Sequence, residues 1–335
     1  MAAGKLTIED VARAAGVSRA TVSRVMNDVP GAADAVRDRV RAVIAELGYV
    51  PDQAARALAS RQQPAIDVVV AAPLLGMGWL GSHPYYSRVL AGIMSVLQGR
   101  DIQVRIQAVG ETDVAGLEAI AERVSLGAVL ACVPADLAVR FQRRCRRVVS
   151  LVETAASVPA VEADNVGGAY AAVAYLHQLG RRRIAAVHGP DANSCGVSRR
   201  AGYLRAVEEF GLVDLSAGGG FTREGGFDAA RRLLEWYPDV DAMFVACDLM
   251  GAGAVQAITA TGRRVPRDVS VVGFDDSIAA VCSNPQLSTM RMPVEDMAAA
   301  ATQLLLDGAV EVGYRQRVPV ELVVRESTNS PSAAG

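Results

Sequence analysis

Histidine is scarce in this chain. Only His83, His177 and His188 occur, and no two stand in the H-x-x-x-H spacing that puts two imidazoles on one helical face, so no metal site is expected. The five cysteines (Cys132, Cys145, Cys195, Cys247, Cys282) are odd in number, scattered, and form no C-x-x-C. That excludes a disulfide framework and a dithiol redox motif, and suits a reducing compartment. No apolar run approaches the ~18 residues of a membrane span. Residues 1–5 lead directly into a polar helix without an apolar h-region, so a cytoplasmic protein is expected. No G-x-S-x-G elbow occurs, and Ser194, Cys195 and Gly196 have no adjacent base in sequence to activate a nucleophile, so no catalytic residues are expected. An excess of charge of either sign is also lacking. The net charge is −2, and residues 1–63 carry nine Lys/Arg against seven Asp/Glu. A bias that small does not by itself argue for nucleic acid.

What is present is a chain of 335 residues, 51% hydrophobic and 21% charged, long enough for two or three globular units. Its N-terminal stretch reads as two short helices around a tight turn. Thr7 with Asp10 three residues later forms a capping-box-like start, where the hydroxyl can accept from a first-turn N–H. Ile8, Val11, Ala12 and Ala15 recur at helical spacing, Gly16 supplies a positive φ, and Ser18 caps the second helix. There Val22, Val25 and Met26 face the first helix, while Ala20, Ser23, Arg24 and Asn27 share the opposite face, with Arg19 at its leading end. A helix-turn-helix lays such a face in the DNA major groove; an ordinary helical hairpin with a solvated face gives the same pattern. A third helix is expected over 34–47, with Val36, Val40, Val43, Ile44 and Leu47 as its buried stripe. Residues 51–60 are helix-prone but too short to be stable alone, and 61–64 read as a linker, or as part of a hinge that orders on DNA with Leu58 as an apolar wedge.

From Ile66 the pattern is α/β. Apolar strands are predicted at 67–72, 103–109, 128–132, 147–152, 183–187, 242–246 and 269–274, and amphipathic helices at 85–97, 114–124, 167–179, 198–210, 225–237 and 249–261. Such alternation argues for parallel sheets covered on both faces, and the count suits two sheets better than one. Ligands then bind beyond the carboxyl ends of the strands, between the lobes. The tail 327–335 is polar and small, and is expected to fray.

Taken together, residues 7–12 (TIEDVA), 16–27 (GVSRATVSRVMN), 46–51 (ELGYVP), 54–58 (AARAL), 200–203 (RAGY), 248–250 (DLM), 268–276 (DVSVVGFDD) and 321–327 (ELVVRES) resemble the LacI/GalR family of bacterial transcription regulators in order and spacing. The resemblance covers nearly the whole chain. It implies a helix-turn-helix DNA-binding domain over 1–50, a hinge helix and linker over 51–65, and an effector-binding core over 66–335. That core is periplasmic-binding-protein-like, with lobe one at about 66–164 plus 291–326 and lobe two at about 165–290. It also implies a homodimer on a near-palindromic operator and a small, sugar-like effector. Carried over by position, Arg19, Ala20 and Arg24 face bases, Thr21, Ser23 and Asn27 contact phosphates, and Leu58 is the minor-groove wedge. Tyr85, Tyr86, Arg199, Phe221 and Asp275 fall at effector-binding positions. An arginine suits guanine O6/N7, so a G·C pair is expected under Arg19 or Arg24, and a deformable central step such as CG under Leu58.

Two departures stand out. Cys247 precedes Asp248 where the family usually carries an asparagine, and the loop 73–83, with Trp79, is longer and more apolar than usual. That loop contains Gly76, Gly78 and Gly81 in a G-x-G-x-x-G, with Glu111 at the end of the next strand, which resembles a dinucleotide fingerprint and leaves an NAD(P)-binding sensor or oxidoreductase as an alternative. The fit fails where Ser82, His83 and Pro84 separate the last glycine from the expected helix start. A solute-binding protein of the same fold is the other alternative, opposed by the N-terminal helix pair. No cofactor is expected.

Overall fold

The computed structural model describes residues 7–26, 33–47, 63–72, 81–152, 154–308 and 310–328. The chain divides into two compact units, Met1–Pro64 and Ala65–Gly335.

In the first unit, α1 (Ile8–Ala15), α2 (Arg19–Met26) and α3 (Asp34–Leu47) share one small core of Val11, Ala12, Ala15, Val22, Val25 and Val40. The cap of α1 closes as a box: the Thr7 N–H donates to the Asp10 carboxylate at 3.0 Å, and the hydroxyl donates to it at 2.7 Å. Gly16 ends α1 at φ +64°, a value without steric cost for glycine, and the Val17 N–H donates back to the Ala12 carbonyl at 3.0 Å. Ser18 caps α2 by accepting from the Thr21 N–H at 3.1 Å. Of the stripe expected on α3, only Val40 is fully buried; Val36, Val43, Ile44 and Leu47 are half-buried. A three-helix core this small cannot cover them.

The second unit holds two six-stranded sheets. In the first, β1 (Ala65–Ala72), β2 (Gln103–Gly110), β3 (Gly127–Ala131), β4 (Val148–Ser150), β5 (Ala160–Ala163) and β11 (Arg315–Val318) lie in the order β11-β5-β4-β3-β1-β2, all parallel. In the second, β6 (Ile184–His188), β7 (Ser216–Gly218), β8 (Ala242–Val245), β9 (Ser270–Asp275), β10 (Ser288–Arg291) and β12 (Glu321–Val323) lie in the order β12-β10-β9-β8-β6-β7. There only the β10–β12 pair is antiparallel. Helices α4 (Pro84–Leu97), α5 (Val114–Arg123), α6 (Ala135–Arg144) and α12 (Val294–Asp307) cover the first sheet, and α7 (Asn165–Gln178), α8 (Ser194–Glu209), α9 (Arg223–Trp236) and α10 (Asp248–Ala260) the second. The short α11 (Ile278–Cys282) follows β9 and packs on α10. No helix among the described residues is long and apolar enough to cross a membrane.

The chain passes between the sheets three times, after β5, after β10 and after β11. The last passage corrects two expectations. Residues 321–326 belong with the second sheet rather than lobe one, because β12 pairs with β10. Ser327 and Thr328 are buried rather than frayed: the Ser327 hydroxyl donates to the Val271 carbonyl at 2.6 Å and accepts from the Ser288 N–H at 2.8 Å. A polar tail is held where it satisfies buried backbone groups.

Candidate functional site

In the first unit α2 presents Arg19, Ala20 and Arg24 as exposed residues, while Val22 and Val25 are buried against the other helices. Arg19 and Glu9 form an exposed ion pair at 3.3 Å, weak enough for a phosphate or a base to displace. Thr21 and Ser23 are half-buried, and the Thr21 hydroxyl is shared with Ser18 at 2.9 Å. Asn27 and Leu58 lie outside the described residues, as do Gly76, Gly78 and Trp79.

In the second unit the ends of the strands meet across a cleft. His83, Tyr85, Tyr86 and Cys132 contribute from the first lobe; Asn193, Cys195, Arg199, Phe221, Cys247 and Asp275 from the second; and Met292 from the crossing segment. All five residues expected to bind an effector therefore line one cleft. His83 caps α4, its Nδ1 accepting from the Tyr85 N–H at 3.3 Å, and Pro84 opens the helix. Gly81 lies ahead of this cap, so the imidazole stands where a dinucleotide fingerprint needs free N–H groups. The aromatic rings form an edge-on set: His83 to Tyr86 at 6.2 Å, His83 to Phe221 at 6.3 Å, and Tyr85 to Tyr86 at 5.3 Å. The void they enclose is about 40 Å³, enough for water but far below the ~300 Å³ of a small-ligand pocket. A second void of about 290 Å³ adjoins it, sharing Cys132 and Asn193 and reaching Thr154 and Ser198.

Backbone strain concentrates here. Among the described residues, four other than glycine have φ in the left-handed region: Cys132 (+59°), Phe221 (+59°), Asp275 (+114°) and Asp276 (+54°). Three of them line the cleft and the fourth is adjacent to it. Such conformations cost on the order of 1–3 kcal/mol each and persist where the surroundings impose them, most often at functional sites.

Arg199 and Asp275 form the polar centre. They are 3.1 Å apart with both side chains nearly buried. Arg199 also donates to the Asn165 side chain at 2.9 Å and the Ala246 carbonyl at 2.5 Å, reaches the Met292 sulfur at 3.5 Å, and lies over the Phe274 ring at 3.8 Å. Most of its donors are thus used within the protein, and its chief work is to hold Asp275. Beneath them Asp248 accepts from the Thr289 hydroxyl at 2.5 Å and the Ser277 N–H at 2.7 Å. Burial, with the nearby Asp275 carboxylate, pushes its pKa up to about 8. The Tyr85 hydroxyl is buried without a hydrogen-bond partner among the described residues. Burial raises the thiol pKa of Cys132 and Cys247, and that of Cys195 to about 12. All three are neutral thiols at neutral pH, the opposite of an activated nucleophile. Burial lowers the His83 pKa.

Sequence reasoning missed His83, Cys132, Asn193, Cys195 and Met292 as cleft residues. The legible trace was Asn193 before a helix, where its Oδ1 accepts from the Cys195 and Gly196 N–H groups at 3.0 and 3.3 Å. Cys247 does the same for α10, its sulfur accepting from the Met250 N–H at 3.5 Å.

Residues 7–52 match the family model of bacterial regulatory proteins, lacI family, and residues 173–328 match that of a periplasmic binding protein-like domain. The HTH-type transcriptional regulator CelR of Thermobifida fusca is 35% identical over 96% of this chain and 98% of its own length. The chain belongs to the lacI family of bacterial regulatory proteins. Within the lacI family, the HTH-type transcriptional repressor CytR of Escherichia coli K12 is 31% identical, over 97% of this chain and 96% of that one. Among solved structures, a CelR–cellobiose complex superimposes with a TM-score of 0.71 at 33% identity, covering 96% of this chain and 99% of that one. A lac repressor dimer bound to operator and the anti-inducer ONPF gives 0.70 at 29% identity, with the same coverage. As a lacI-family member, the chain carries a DNA-binding unit joined to a two-lobed binding unit, and each relative named is a transcription regulator or repressor.

Proposed function

We propose that this protein is a cytoplasmic, homodimeric repressor whose affinity for a near-palindromic operator is set by a sugar bound between the lobes of the second unit, and that it is not an enzyme. The observation that carries the reading is the cleft. Aromatic faces from Tyr85, Tyr86 and Phe221 surround the Asp275 carboxylate, and three strained residues hold the walls. Aromatic rings suit the apolar face of a pyranose, and a carboxylate accepts from its hydroxyls. Tyr85, Tyr86, Phe221 and Asp275 contact the effector, and Arg199 orients Asp275. Arg19, Ala20 and Arg24 read bases, and Thr21, Ser23 and Asn27 hold phosphates, with Leu58 as the wedge in the hinge. Domains follow the boundaries 1–50, 51–65 and 66–335. The relatives support this assignment, since their structures hold cellobiose or an operator.

The small void gives the mechanism. A ring seated among Tyr85, Tyr86 and Phe221 needs several times the 40 Å³ between them, so seating it moves the lobes or the rings, and the three chain passages carry that movement from one lobe to the other. Coupling of this kind typically changes affinity 5–150-fold. Binding of a selected operator duplex, followed by fluorescence anisotropy with cellobiose, lactose and ribose, tests the reading. One sugar that stabilises the protein in a thermal melt should also shift operator affinity within that range. Operator affinity that responds to no sugar able to raise the melting temperature overturns it.

A further inference from the structure

The end of α6 and the turn that leads to β4 are dense in arginine: Arg140, Arg143, Arg144, Arg146 and Arg147 fall within eight residues. Two of these guanidiniums are committed. Arg144 pairs with Glu118 at 3.0 Å and with Glu122 at 3.6 Å, and Arg147 donates to the Leu305 carbonyl at 2.6 Å. Arg140, Arg143 and Arg146 are exposed and make no ion pair among the described residues. Exposed Arg123 precedes β3 on the same side of the sheet, its Nε donating only to the Ala119 carbonyl of its own helix, at 3.0 Å.

Strand register places this cluster. Ile66 pairs with Gly127, and Ala128 pairs with Val148, so Arg147 is level with Ile66 and two strands away. At the ~4.8 Å spacing of neighbouring strands, that is about 10 Å. The Ser125 hydroxyl, two residues past Arg123, accepts from the Ala65 N–H at 2.9 Å. Arg146 and Arg147, ahead of β4, and Arg123, at the end of α5, therefore lie at the end of the sheet where the second unit begins, with Arg143 in the last turn of α6 just before them. From α3 to Ala65 there are 17 residues, 48–64. At no more than ~3.6 Å per residue, those residues span at most about 60 Å.

We propose that these arginines form a second DNA contact, in which Arg140, Arg143 and Arg146 engage the phosphate backbone of duplex flanking the operator. The inference rests on the operator-binding reading above. It also accounts for a shortfall in the first unit: residues 1–63 carry a net charge of only +2, whereas operator binding draws much of its affinity from phosphate neutralisation. Guanidiniums without carboxylate partners release condensed counterions from DNA without first breaking an ion pair.

The test compares the full-length protein with the triple variant Arg140→Gln, Arg143→Gln, Arg146→Gln on two duplexes. One ends at the operator and the other extends about 20 base pairs beyond it on each side. Affinity is measured across a salt series. The wild type should show a steeper salt slope on the long duplex than on the short one. The variant should lose that difference, by about 0.9 in slope per phosphate contact removed, with an affinity loss on the order of tenfold at low salt confined to the long duplex. Arg143→Glu with Arg146→Glu should weaken the long-duplex complex further. Equal slopes for wild type and triple variant on the long duplex overturn the proposal and assign the arginines to another anionic partner. Failure of the wild type to bind the short duplex overturns the operator reading itself, and the proposal with it.

Discussion

At the residue scale, stability and ligand affinity separate at the two polar ends of the cleft. The Tyr85 hydroxyl is buried without a partner among the described residues, so it costs desolvation in the empty protein and is available to a sugar. Tyr85→Phe should leave the melting temperature unchanged or slightly higher, while weakening sugar affinity roughly 5–10-fold, the worth of one hydrogen bond. Arg199 behaves oppositely. It is 3% exposed and bound to Asn165, Ala246 and Asp275. Arg199→Ala should destabilise the unit by about 3–5 kcal/mol, because the buried carboxylate of Asp275 is left unpaired; a thermal melt without ligand checks this. The position of Arg199 in the cleft was legible from the resemblance, but its work was not. A sequence does not show how many partners a guanidinium already has. Gly189 is similar: a Cβ there would lie 2.3 Å from the Phe221 ring, a constraint between residues 32 apart.

At the element scale, what periodicity could reveal depended on length and burial. β1, β3, β6, β8 and β9 are four to eight residues long, each carries an uncharged, largely aliphatic run of four or five residues, and they lie within two residues of the expected strands. β7 (SAG), β10 (STMR), β11 (RQRV) and β12 (ELV) have three or four residues and little alternation. Pairing with a neighbour makes them strands, and pairing is not written in a local window. Helix α8 begins at Ser194, four residues ahead of the expected start, because Asn193 caps it. Close helix packing was equally hidden. At Gly253 on α10 a Cβ would sit 2.1 Å from the Arg223 carbonyl, and at Gly226 on α9 it would sit 2.3 Å from the Met250 carbonyl. The two glycines let these backbones touch. Gly253→Ala should therefore lower the melting temperature, by about 1–3 kcal/mol of stability, although alanine is the better helix former.

At the scale of the whole second unit, the passages between lobes are fastened by Arg88. Its guanidinium donates to both Glu295 carboxylate oxygens at 2.7 Å, to the Met292 carbonyl at 3.0 Å and to the Asp275 carbonyl at 2.8 Å. One side chain of α4 thus ties the first lobe to the crossing segment and to the strained end of β9. Two buried ionisable groups of the second lobe, His188 and Asp248, make the stability of the unit depend on pH with opposite signs. Burial lowers the His188 pKa to about 4, with the Arg200 charge as a second cause. Between pH 6.5 and 4 the unfolded chain binds the proton that the folded chain refuses, so stability falls as pH falls through that window, by roughly 2–3 kcal/mol. Asp248 has its pKa raised to about 8 by burial and by Asp275. From about pH 4 to 8 the folded chain holds the proton that the unfolded chain has lost, so its contribution falls as pH rises. The two trends oppose one another below pH 6.5, and only the Asp248 trend remains above it. Melting temperature should therefore be nearly flat from about pH 4 to 6, where the two contributions offset each other, and decline towards pH 8. Asp248→Asn imitates the protonated acid, its carbonyl accepting from the Ser277 N–H and its amide donating to the Thr289 hydroxyl, and should flatten the alkaline limb while uncovering the decline that His188 produces as pH falls from 6.5 to 4. An alkaline limb as steep in that variant as in the wild type would assign the decline to other groups.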